Sequence, residues 1–147
     1  MSSLIIANQV GMWFGYVTFG YISDRFGRRR TYVTYLLAAA LLLVLYTTTR
    51  EALVLLALGP FVAFFGTGYF SGFGAVTAEI YPTDVRATAQ GFTYNIGRLA
   101  SAAAPFTVAS LAQAHGFGVA FLVAASAFLL AAVLWIWIPE TKGTRLD

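Results

Sequence analysis

The sequence predicts an all-α integral membrane protein with five transmembrane helices. Three observations carry that prediction. Of the 147 residues, 59% are hydrophobic and 10% charged, with a mean hydropathy of +0.76, whereas soluble domains carry about 25% charged residues. Five apolar stretches, 4–22, 31–49, 52–78, 87–112 and 117–138, are each long enough as helices to cross a hydrocarbon layer of about 30 Å. Lysine and arginine also segregate: Arg25, Arg28, Arg29, Arg30, Arg86, Lys142 and Arg145, seven of the nine, fall at one set of span ends. Arg50 lies at the opposite set and Arg98 inside a span. Basic connections resist translocation, so the side with seven is cytoplasmic, the C-terminus is cytoplasmic, and the chain is a multi-pass protein of the cell's inner or plasma membrane.

Each element has its own justification. The first span, 4–22, holds Gly11 and Gly15 at GxxxG spacing, which suits close helix contact, and carries Asn8 and Gln9 within it. A basic loop, Gly20 to Arg30, leads to the second span, where Tyr32 and Tyr35 are expected in an interfacial aromatic belt. The turn Arg50-Glu51 is short enough to make spans two and three an antiparallel hairpin. Span three is long, and Pro60 is expected to kink it near its outer end. Its glycines, Gly66, Gly68, Gly72 and Gly74, lack the strand and the spacing of a dinucleotide fingerprint and read as helix packing. Pro82 closes that span, and Thr83 or Asp84 is expected to cap the next. The fourth span is the most polar, with Gln90, Thr93, Tyr94, Asn95, Arg98 and Ser101 ahead of Pro105. The fifth is apolar throughout and ends on Trp135 and Trp137 at the interface.

Composition also excludes classes. The net charge of +3 comes mainly from the basic loop and reads as topology and lipid headgroup contact, not nucleic-acid binding. With no cysteine and a single histidine, His115, the sequence offers no disulfide frame and no metal site. No nucleophile–base pair and no phosphate-binding loop appears, so neither an enzyme nor a cofactor is expected.

The run Gly20, Asp24, Arg25, Gly27, Arg28, Arg29, Arg30 fills every defining position of a spacing that resembles the signature loop of the major facilitator superfamily. Glu79, Pro82 and Arg86 are similar to the Glu-x-x-Pro-x-x-x-Arg pattern after the fourth helix of each half of that fold. Pro139-Glu140-Thr141-Lys142-Gly143 looks like the ending of the twelfth helix in sugar and metabolite:proton symporters. The run from Arg86 to Arg98 resembles metabolite:proton symporters that carry organic acids. The resemblance implies a partial major facilitator fold, helices eight to twelve of twelve, with the N-terminal half missing and supplied in cis or in trans. It implies a secondary transporter, a proton-coupled symporter of a small organic acid or related metabolite. A sugar is the rival cargo, and a small non-transporting membrane scaffold is the rival of a different class.

Two groups of residues are candidates for function. Asp24, Arg25, Arg28, Glu79, Arg86 and Glu140 all fall at cytoplasmic helix ends, where opposite charges can bridge neighbouring helices. The resemblance implies a conformational latch there; the alternative is a solvated loop whose exposed pairs contribute about 0–1 kcal/mol. Asp24 also suits a helix N-terminus. Arg98 lies twelve residues beyond Arg86, roughly 18 Å along a helix. An arginine at that depth costs about 2.5–3.5 kcal/mol on insertion scales, so a partner and an inward or watery surrounding are expected. With Asn95, Tyr94 and the weaker candidate Gln90 it offers donors suited to a carboxylate. Pairing with an acid of the other half is the structural alternative. No carboxylate lies mid-span, so a proton carrier is expected in the missing half.

Overall fold

Helices account for every span in the computed structural model, which describes residues 2–49 and 51–143. Arg50 and Arg145, both used in the charge distribution above, lie outside the described residues. The order is α1 (Ser2–Phe26), α2 (Arg28–Thr48), α3 (Ala52–Gly68), a 3-10 turn (Tyr69–Gly72), α4 (Phe73–Ile80), α5 (Arg86–Ala102), α6 (Ala104–His115) and α7 (Phe117–Ile136). Three continuous helical stretches, Arg28–Thr48, Ala52–Ile80 and Phe117–Ile136, are long and apolar enough to cross a membrane by length and composition. The first and fourth expected spans are helical too; polar residues thin the apolar run in α1, and a break divides α5 from α6.

The close helix contact expected from Gly11 and Gly15 has a specific partner. A Cβ added at Gly11 would fall inside van der Waals contact of the Pro60 carbonyl, and one at Gly15 would do the same at the Phe64 carbonyl. The α1 and α3 backbones therefore touch, and α1 lies along α3 while α2 lies along α7. Gly68 returns the contact: a Cβ there would sit 2.8 Å from the Gly15 carbonyl oxygen. Between these helices lies an aromatic core. Phe19, Tyr32, Tyr35 and Val76 are buried together. Phe19 meets Tyr32 at 4.8 Å and Tyr35 at 5.0 Å, both edge-on, and Trp135 stacks on Tyr32 at 3.7 Å. Each such ring pair adds about 0.5–1.5 kcal/mol beyond its area.

Several expectations are corrected here. Tyr32 and Tyr35 belong to this core, each 2% exposed, rather than to an interfacial belt. Pro60 lies inside α3, and the α geometry of span three gives way to a 3-10 turn further on, at Tyr69–Gly72. Proline removes one hydrogen bond, whereas the glycines flanking and ending the turn weaken the helix at several successive positions. The fourth span is two helices that meet at Ala103, because Pro105, in the first turn of α6, cannot donate to the preceding turn. The N-cap position of α5 is Val85 rather than Thr83 or Asp84, and Val85 makes no side-chain bond there. Finally, the basic stretch is not a loop. Gly27 alone separates α1 from α2, with φ of +105°, a conformation that favours glycine.

Candidate functional site

One end of the bundle gathers four of the six charged candidates, Asp24, Arg28, Glu79 and Glu140, in one cluster. Because α1 continues to Phe26 and α2 begins at Arg28, Asp24 in the last turn of α1 faces Arg28 across the Gly27 junction, and the two form an ion pair. The Arg28 guanidinium also reaches across to α4, donating from Nη2 to Glu79 Oε1 at 3.0 Å and from Nε to both Glu79 oxygens at 3.3 Å. Its Nη1 donates to Ser23 Oγ at 2.8 Å. The two ion pairs differ in surroundings: Glu79 is 11% exposed and Asp24 68%. Water screens the Asp24 pair, so the Glu79 pair is the stronger tie.

Residues beyond α7 close the cluster. Glu140 Oε1 accepts from the backbone N–H of Arg28 at 2.7 Å, and Oε2 accepts from that of Arg29 at 3.2 Å. These N–H groups open α2 and have no helical partner of their own, so a carboxylate there satisfies both hydrogen bonding and the helix dipole. The absence of a side chain at Gly27 makes room, since a Cβ there would meet Glu140 Oε2 at 2.6 Å. Thr141, only 5% exposed, donates to Glu79 Oε2 at 2.5 Å. Lys142 Nζ donates to the Arg25 carbonyl at 2.6 Å. Three stretches distant in sequence, 23–29, Glu79 and 140–142, thus meet at one carboxylate–guanidinium centre.

Arg25 and Arg86 do not join it through their charges. The Arg25 guanidinium lies over the Phe26 ring at 5.7 Å, and only its backbone carbonyl touches the cluster. Arg86 Nε donates to the Tyr81 carbonyl at 3.3 Å, within its own connection. Asp24 does not face a helix N-terminus; Glu140 occupies that role. Ser23, Thr141 and Lys142 are participants that charge pattern alone misses. Ser23 and Thr141 each neighbour a candidate in sequence, and Lys142 lies two residues from Glu140.

The second group sits on α5. Arg98 Nη1 donates to the Tyr94 hydroxyl at 3.2 Å, and its guanidinium lies 5.6 Å from the centre of that ring. No carboxylate pairs with Arg98 among the described residues. Asn95 is turned to its own helix, donating to the Gly91 carbonyl at 2.7 Å. Gln90 points the other way and ties α5 to α4, donating to the Gly74 carbonyl at 3.0 Å and Thr77 Oγ1 at 2.9 Å. A cleft of about 550 Å³ runs between α4 and α5, lined by Phe73, Thr77, Gln90 and Tyr94 among others. Tyr94 and Arg98 are exposed, and none of the residues of α5 or α6 is buried. The four polar candidates share one helix: Arg98 and Tyr94 form a pair, Gln90 and Tyr94 line the same cleft with Gln90 also bonded to α4, and Asn95 bonds its own helix. Among the described residues, no group of three His, Asp or Glu side chains is arranged to hold a metal ion.

Comparison with known proteins follows the same lines. The sequence pattern of the Major Facilitator Superfamily matches residues 1–147. A Haemophilus influenzae protein named for metabolite transport is 36% identical over 138 residues, 93% of this chain and 34% of that protein. The cis,cis-muconate transport protein of Acinetobacter baylyi is 32% identical over 137 residues, 91% of this chain and 32% of that protein. A Bacillus subtilis protein named for niacin/nicotinamide transport is 35% identical over 135 residues, 90% of this chain and 34% of that protein. The chain spans about a third of the length of the curated relatives it matches.

Proposed function

The chain belongs to the Major Facilitator Superfamily, and on that premise we propose that it works as part of a secondary transporter that carries small organic acids across the cell membrane together with protons. The observation that carries the cargo class is Arg98 with Tyr94. A guanidinium twelve residues beyond Arg86 on α5, exposed on a helix with no buried residue and without a carboxylate partner among the described residues, suits an anionic ligand. Muconate and niacin, for which two relatives are named, are carboxylates.

A carrier of this kind holds its cargo between two helical halves. The exposed face of α5 and α6, with Leu99 76% and Phe106 79% exposed, is the natural seat for the complementary half, in cis or in trans. Helices α1 to α7 then correspond to helices eight to twelve of the full fold, and the titratable group that carries the proton belongs to the other half. The Arg28–Glu79–Glu140 centre acts as a latch at the cytoplasmic end, joined in one access state and parted in the other.

Uptake measurements test this reading. Cells carrying the gene and cells deleted for it are compared for accumulation of radiolabelled monocarboxylates, dicarboxylates, aromatic acids and sugars, with and without an imposed pH gradient. Loss of one or more acids on deletion, steepest with the gradient, is the expected result. Unchanged uptake of every acid and loss of a sugar would reverse the cargo assignment, and no change in any solute would remove the transporter reading.

A further inference from the structure

A groove of about 460 Å³ opens between α1, α2 and α3 near the inner end of the bundle, lined by Ile22, Phe26, Arg30, Thr34, Phe64 and Phe65. Its floor is built from interlocked rings. Tyr35, which is 2% exposed and also lines the groove, meets Phe64 at 5.7 Å and Phe65 at 5.1 Å, and Phe64 meets Phe65 at 4.8 Å. Three mutually packed aromatics hold one another's rotamers, so the apolar trough exists before anything enters it. Arg30, in the first turn of α2, is the one charged residue among those lining it. Thr34 donates to the Arg30 carbonyl at 2.9 Å, leaving the guanidinium as the polar group at that end.

The three consecutive arginines are not equivalent. The Arg28 side chain is committed to Asp24 and Glu79. Those of Arg29 and Arg30 are exposed and pair with no carboxylate among the described residues, and of the two only Arg30 lines the groove. We propose that this groove is a binding site for an anionic phospholipid, its phosphate held by Arg30 and one acyl chain lying along Phe26, Phe64 and Phe65. A cation at the mouth with apolar walls running inward matches a headgroup above an acyl chain, and no acidic residue lines the site to repel the phosphate. The inference rests on α1 to α3 crossing the bilayer and is independent of the cargo.

The test uses the full chain reconstituted in phosphatidylcholine vesicles containing a phosphatidylglycerol analogue with a photoreactive group in its acyl chain. After illumination, labelled peptides are mapped by mass spectrometry. Label concentrated on Phe26, Phe64 and Phe65, displaced by unlabelled phosphatidylglycerol but not by further phosphatidylcholine, is the expected result. Arg30→Gln should lower that labelling about fivefold, the contribution of a single interfacial cation, while Arg29→Gln leaves it unchanged. Thr34→Trp, which fills the groove and keeps Arg30, should lower it as well. Equal labelling by a phosphatidylcholine analogue would overturn the proposal. So would an equal loss in Arg29→Gln and Arg30→Gln, which would indicate diffuse surface charge, or labelling undiminished in Thr34→Trp.

Discussion

Glu79 is the residue on which the inner end depends most. It accepts from Arg28 on α2 and from Thr141 beyond α7, and it does so largely shielded from water. Replacing it by glutamine leaves the Arg28 guanidinium short of its main counter-charge, which should cost about 2 kcal/mol. Asp24→Asn removes an exposed pair and should cost about 0–1 kcal/mol. If the centre acts as a latch, a cysteine at Gly91, beside the α4–α5 cleft, will react faster with a thiol reagent applied from the cytoplasmic side in Glu79→Gln. The rate will be nearly unchanged in Asp24→Asn. The chain has no native cysteine to confuse the reading. Equal rates in all three proteins would remove the latch. At this scale the sequence revealed depth but not direction. Counting along helices put all six charged candidates at one level of the membrane, and Arg28, Asp24, Glu79 and Glu140 do meet. Arg25 and Arg86 lie at the same level and point elsewhere, because helix azimuth follows from packing partners that a single sequence does not name.

Among elements, the α1–α3 pair is the most constrained. Gly11 and Gly15 have no space for a side chain because the Pro60 and Phe64 backbones occupy it. Gly11→Ala or Gly15→Ala should therefore push the helices apart at a cost of about 1–3 kcal/mol, the usual range for overpacking. Gly20→Ala and Gly74→Ala, where an added Cβ meets nothing within 4 Å, should be tolerated. Thermal unfolding of the four variants in detergent checks the contrast; equal midpoints would contradict the backbone contact. The GxxxG spacing made this face legible, while its partner helix was not. Helix breaks were less legible. Pro60, expected to kink span three, lies inside α3, while the change to 3-10 geometry at Tyr69–Gly72 carried no expectation at that position. One proline forfeits one hydrogen bond, whereas a cluster of glycines withdraws the side-chain contacts that hold a turn in α geometry.

For the whole molecule, composition pointed to the membrane class, since a chain this apolar has too little polar surface to face water, and the lengths of the apolar stretches gave the number of spans. The orientation expected from the arginine distribution makes its own prediction. A green fluorescent protein fused after Gly143 should fluoresce, and alkaline phosphatase at the same point should be inactive, with phosphatase active when fused after Thr49 instead. The opposite pattern would invert the topology and move the Arg28–Glu79 centre to the outer face. The proposed cargo site was the least legible part at this scale. Arg98, Asn95, Tyr94 and Gln90 share a helix, but their side chains divide between the α4 contact, the helix's own backbone and an exposed face. A site formed between two halves is only half written in either one. The most direct measurement is therefore the concentration dependence of organic-acid uptake by cells carrying Arg98→Ala or Arg98→Lys, with membrane protein levels held equal. A guanidinium that binds the carboxylate predicts a half-saturation concentration raised about ten- to a hundredfold by alanine, the worth of a charged hydrogen bond, and only partly restored by lysine. An alanine variant with unaltered affinity for the acid would show that Arg98 does not bind the cargo.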